Sequence, residues 1–157
     1  MDINFEYSFE PISTHNIEIF ERKYNLSLPD EYKQFLLLNN GGKTERRRFK
    51  TNDKTKEGTV TSSIILFFPL SKEVESNLEE SYCLYNRGKI VPSNFLPIGI
   101  DPGDSLICLS IEGNDKGSVY HCDMDYFEED NELKEEFIRL ITGSFTDFIN
   151  ILFLPPK

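Results

Sequence analysis

The chain has no tryptophan and no alanine, only three cysteines, and only two histidines. No uncharged run approaches the roughly 18 residues needed to cross a bilayer. The longest apolar cluster, IILFFPL at 64–70, is interrupted by Pro69. A membrane-spanning protein is therefore not expected. Three cysteines with no apolar leader ahead of the acidic opening MDINFEYSFE argue against a secreted disulfide scaffold and point to the cytoplasm. The glycine patterns GxGxxG, GxxxxGK[ST] and GxSxG are missing, and with them the usual phosphate loops and the nucleophile elbow.

What is present is a folded-globule composition, 38% apolar and 13% aromatic over 157 residues, enough for one core and too little for two. The formal charge is -10, from 27 acids and 17 bases, and it is unevenly spread. Residues 43–57 hold seven bases and three acids, a local +4. Residues 101–136 hold twelve acids against Lys116 and Lys134, a local -10. Such a field repels nucleic acid and favours a basic partner, although a solvated surface that keeps the protein dispersed has the same composition.

Hydrophobic spacing predicts the elements. Ile17, Phe20 and Tyr24 define an amphipathic helix over about 14–24, with Ser13 or Thr14 as N-cap. A second helix follows Pro29, with Asp30 and Glu31 at its positive end and Tyr32, Phe35, Leu36 and Leu38 as the buried stripe. Asn39, Asn40, Gly41 and Gly42 read as a left-handed cap that ends it. KTERRRFKTNDKTKEGT has Phe49 as its one apolar anchor, and a mobile basic loop is expected over 43–61. TSSIILFFPL reads as a strand, and Val74, Leu78, Tyr82 and Tyr85 as a third helix stopped by Gly88. Three strands are expected over Phe95 to Ile100, Ser105 to Ile111 and Gly117 to Asp123, joined by the DPGD turn and by EGNDK. Ser144 and Asp147 cap a last helix whose buried face is Phe145, Phe148, Ile149 and Leu152. Helices first and hairpins later indicate a single α+β domain over 1–157, its mainly antiparallel sheet packed against N-terminal and C-terminal helices.

Candidate chemistry is thin. Neighbours on a strand face opposite ways, so His121 cannot activate Cys122. A four-residue hairpin loop would set Cys108 opposite His121, either as a pair or as a buried thiol beside a strand histidine. One adjacent His-Cys is a poor zinc site. DMDYFEEDNELK opens like a calcium loop but has Phe127, Glu128 and Lys134 at three key positions. No cofactor or metal is expected. Asp101, Asp104, Asp123 and Asp125 could converge for acid-base work, grip a partner or merely turn the chain.

IEIFERKYNLSLPDEYKQFLLLNNGG, FLPIGIDPGDSLICLSIEGNDKGSVYHCDMD and SFTDFINIL, in that order, resemble the SUKH superfamily. That superfamily includes yeast cell-wall-synthesis regulator homologues and many bacterial immunity proteins. The likeness runs from about Ser13 to Leu152, and it departs at Ser110, where an aspartate is common, and in lacking a tryptophan. It implies a compact α+β domain without catalytic activity that binds proteins, in bacteria an immunity protein against a cognate toxin, often a nuclease. The expected mode is occlusion of a basic cleft by an acidic patch. The expected patch is Asp101, Asp104, Asp123, Asp125, Glu128, Glu129 and Asp130, with Tyr126 and Phe127 as aromatic anchors. A regulatory scaffold and a small carboxylate enzyme are the alternatives. Oligomeric state, monomer or dimer, stays open.

Overall fold

The structure, a computed structural model, describes residues 2–52, 58–125 and 133–156. An edge strand β1, Phe5–Phe9, precedes helix α1, Thr14–Tyr24. α1 starts where the spacing puts it because Ser13 and Asn16 cap one another, the Ser13 hydroxyl accepting the Asn16 N–H and the Asn16 side chain accepting the Ser13 N–H. Asn25, in the left-handed region at φ 54°, ends it.

Helix α2, Asp30–Leu38, buries Tyr32, Phe35 and Leu36, but Leu38 is 68% exposed and is not part of the stripe. Nor does α2 end in a left-handed cap. Asn39 is extended at φ -146°, and the chain runs directly into β2, Asn40–Thr44. The glycines serve the strand instead. Gly42 has φ 120°, and a Cβ there would lie 2.1 Å from the Tyr7 carbonyl, so only glycine lets β2 close against β1.

The described part of the basic segment is a ladder, which corrects the expected mobile loop. β3, Arg48–Lys50, pairs antiparallel with β4, Thr61–Ser63. Phe49 is fully buried, and Arg48 exchanges backbone hydrogen bonds with Phe153 on the other side. Residues 53–57 lie outside the described set. The strand expected in TSSIILFFPL divides, since β4 belongs to this ladder while β5, Leu66–Phe67, joins the main sheet. The third helix is shorter than its spacing suggests. Only Leu78–Ser81, α3, is α-helical, capped by the Asn77 side chain on the Glu80 N–H, and it passes into a π-helical turn, Tyr82–Arg87.

Strands β6 (Phe95–Ile100), β7 (Leu106–Ser110) and β8 (Val119–Cys122) follow as expected. After a short 3-10 turn at Glu135–Phe137 come β9, Ile138–Thr142, and helix α4, Phe145–Ile151. α4 begins on Ser144, whose hydroxyl accepts the Asp147 N–H.

Among the described residues the main sheet runs β1-β2-β5-β6-β7-β8-β9, every adjacent pair antiparallel. The fold is thus α+β in a single domain. One sheet face packs with α1, α2, α4 and the β3–β4 ladder into the principal core, which holds Phe35, Phe67, Ile107, Leu109, Phe145 and Phe148. The opposite face is also covered, by Val91, Phe95, Leu106, Cys108 and Cys122 with Tyr85 and Met124 beside them. No helix among the described residues is long and apolar enough to cross a membrane.

Candidate functional site

The DPGD turn between β6 and β7 and the exit from β8 lie at one end of the sheet, where acidic residues gather. Asp101 opens the turn, and its backbone carbonyl accepts the Asp104 N–H at 3.1 Å. Its Oδ1 accepts the Gly103 and Ser105 N–H groups at 2.9 and 2.8 Å. This local hooking is what Asp does well in a turn. Its Oδ2 accepts the Ser62 hydroxyl at 2.9 Å and meets His121 Nε2 at 2.9 Å. Every lone-pair direction of this carboxylate is therefore used inside the protein.

That geometry corrects the expected role of Asp101. The residue is 6% exposed and bridges β4, β6 and β8, so it is not a surface acid that a partner could touch. Burial alone would raise its carboxyl, but the His121 hydrogen bond, the Ser105 N–H and the Ser62 hydroxyl together hold it below the ordinary value.

The cysteine and histidine pairing also differs from expectation. β7 and β8 align Cys108 with Tyr120 and Ile107 with His121, so Cys108 and His121 point to opposite faces. His121 enters the principal core side against the Phe49 ring, with centroids 5.9 Å apart, while Cys108 lies in the second cluster. Nor does Ser62–Asp101–His121 make a hydrolase triad. There the imidazole must stand between hydroxyl and carboxylate to take the proton. Here the carboxylate stands in the middle, and the His121 and Asp101 side chains are only 3% and 9% exposed.

The remaining acids are arranged differently. Asp104 is exposed and takes a left-handed φ of 65°, which a short polar side chain tolerates. Its charge is felt by Tyr85, whose hydroxyl is raised first by burial and then by Asp104. Asp123 is half-buried, accepts the Asp125 N–H at 3.0 Å and lies 3.7 Å from Arg139 Nη1. Asp125 is exposed, and its carboxyl is raised chiefly by the neighbouring Asp123 charge. Tyr126, Phe127, Glu128, Glu129 and Asp130 lie outside the described residues.

Three contributors escaped the sequence reading: Ser62, His121 as the partner of Asp101, and Arg139, which the register places directly opposite His121. Each depends on long-range register, and no local motif marks it. Among the described residues no group of three or more His, Cys, Asp or Glu side chains could hold a metal ion. What the described acids offer is charge. Among the described residues Asp104 and Asp125 are exposed without an ion pair, Asp104 on the turn that Asp101 fixes from within and Asp125 at the exit from β8.

A family model for the SMI1 / KNR4 family (SUKH-1) matches residues 11–151. No curated protein matches the chain.

Proposed function

The chain belongs to the SMI1 / KNR4 family (SUKH-1), a family with known toxin-immunity proteins, and we propose that it is itself an immunity protein. SUKH domains are generally non-catalytic, acting in immunity or regulation. On this reading the protein binds a cognate bacterial toxin, a nuclease, and blocks its basic cleft with an acidic surface. It has no catalytic activity of its own, and it acts in the cytoplasm. The proposed contact residues are Asp104, Asp123 and Asp125, with Tyr126, Glu128, Glu129 and Asp130 following in the chain.

One observation carries the reading. Asp125 is exposed beside Asp123, whose like charge is the chief cause raising its carboxyl and is offset only in part by His121. An arginine or lysine from a partner would relieve that repulsion, and a nuclease cleft presents such groups to its phosphate substrate. The overall charge of -10 supports the same partner by steering it.

The test is co-expression with the toxin domain encoded beside this gene, scoring survival and complex formation. Wild-type protein is expected to rescue growth. A variant with Asp104, Asp123, Asp125, Glu128, Glu129 and Asp130 changed to the corresponding amides is expected to fail while remaining folded. Rescue by both would move the interface elsewhere. No rescue and no complex would replace the toxin reading with regulatory binding.

A further inference from the structure

Away from the acidic end of the sheet, a groove runs between α1 and the chain that enters the π-helical turn. Two adjoining hollows of about 420 and 580 Å³ share Lys72, Asn77 and Glu79. α1 presents Ile19 and Tyr24 to the groove, and the π-helical turn presents Cys83 and Leu84. Two apolar side chains are left uncovered there, Ile19 at 47% exposed and Leu84 at 58%. Between them the floor is fixed. Cys83 Sγ donates to Tyr24 Oη at 3.2 Å, Tyr24 Oη donates to Glu79 Oε2 at 2.6 Å, and Lys23 Nζ reaches the same oxygen at 2.6 Å.

The turn that carries Leu84 is anchored on both sides. Tyr82 is buried in the principal core, Tyr85 packs against the second cluster, and the Asn86 amide donates to the Ser93 and Phe95 carbonyls. π-helical turns are uncommon and concentrate at functional sites. Here the turn holds an apolar side chain outward on a fixed backbone, so little ordering remains to oppose contact. The groove is also electrostatically one-sided. Four carboxylates, Glu10, Glu73, Glu79 and Glu80, line it against Lys23 and Lys72. Lys23 is engaged by Glu79, and among the described residues Glu10, Glu73 and Glu80 have no ion pair.

We infer that this groove is a docking surface for a cationic segment of a partner protein, one of whose apolar side chains lies between Ile19 and Leu84. The inference rests on the toxin-binding reading and adds to its acidic contact a second, apolar one. A second copy of this chain is a poor occupant, because it brings the same excess of negative charge.

Cys83 reports on the groove directly. Cys108 and Cys122 are fully buried, so maleimide labelling of the folded protein reads Cys83 alone. Labelling is measured on the free protein and on its complex with the toxin domain encoded beside the gene. Labelling in the complex is expected to slow by about tenfold or more. Leu84→Glu, with an unchanged thermal midpoint, is expected to weaken the complex by about thirtyfold, the scale of a buried anchor. A complex in which Cys83 reacts at its free rate would overturn the groove and leave the toxin reading standing. If wild-type protein forms no complex, both fall together. Protection of Cys83 that grows with protein concentration and without any partner would overturn the inference in favour of self-association.

Discussion

Asp101 shows how much one side chain can do when its oxygens are all used. It ties its own turn through Gly103 and Ser105, reaches β4 through Ser62, and meets β8 through His121. Removing it leaves buried donors with no acceptor, which is costlier than losing the bonds alone. Asp101→Ala is expected to destabilise the fold by about 3 kcal/mol or more, since several buried donors lose their acceptor at about 1 to 3 kcal/mol each, as read by urea unfolding. The carboxyl is held below its ordinary value of 3.8 in the folded protein. Its stabilising effect is therefore complete above that value and is lost as pH falls through the lower folded value. The stability gap between wild type and Asp101→Asn should accordingly close in acid, and a gap that persists there would refute the sign of the shift. The turn-forming role of Asp101 was legible, because Asp-Pro-Gly-Asp is turn chemistry. Its burial was not, since nothing near residue 101 announces that Ser62 and His121 will arrive beside it.

The elements divide by how local their determinants are. α1 was readable to the residue because capping and apolar spacing lie within its own sequence, and β6 to β8 were readable because short hairpins join them. β1 escaped notice although FEYSF alternates apolar and polar residues, since at a sheet edge its three central residues, Tyr7 among them, are exposed and the run is only five residues long. Residues 71–76 offered only Val74 as an apolar group, and the real helix waits for the Asn77 cap. The basic segment misled for a different reason. Its anchoring rests on Phe49, which is fully buried against Phe148 and His121, and on a β4 partner more than ten residues later. Phe49→Ala is expected to cost about 3 to 5 kcal/mol. It should also speed amide exchange at Thr51 and Ile64, whose N–H groups bond to Val60 and Arg47 at the ends of this ladder. A surface-like loss of under about 0.5 kcal/mol would mean that the ladder is not part of the fold's core.

At the scale of the molecule, charge is sorted by the fold and not simply by the sequence. Part of the basic run is engaged within the protein, with Lys43 and Arg47 on Glu6 and Arg46 on the Asp2 carbonyl. At the β6–β7 turn and the β8 exit, by contrast, Asp104 and Asp125 face out. Those acids and the groove should govern different rate constants. Outward charge acts before contact, so it sets the association rate and its dependence on salt. An apolar anchor acts after contact, so it sets the dissociation rate. With the toxin partner proposed above, association of the wild-type protein is expected to slow by about tenfold between 0.01 and 0.15 M salt. Asp104→Asn combined with Asp125→Asn should flatten that dependence with little change in dissociation. Leu84→Glu should keep the salt dependence and speed dissociation. Stopped-flow kinetics on the two variants measures both quantities. If each variant altered the same rate constant, the acidic end and the groove would belong to one undivided contact, and the assignment of steering to one and anchoring to the other would fail.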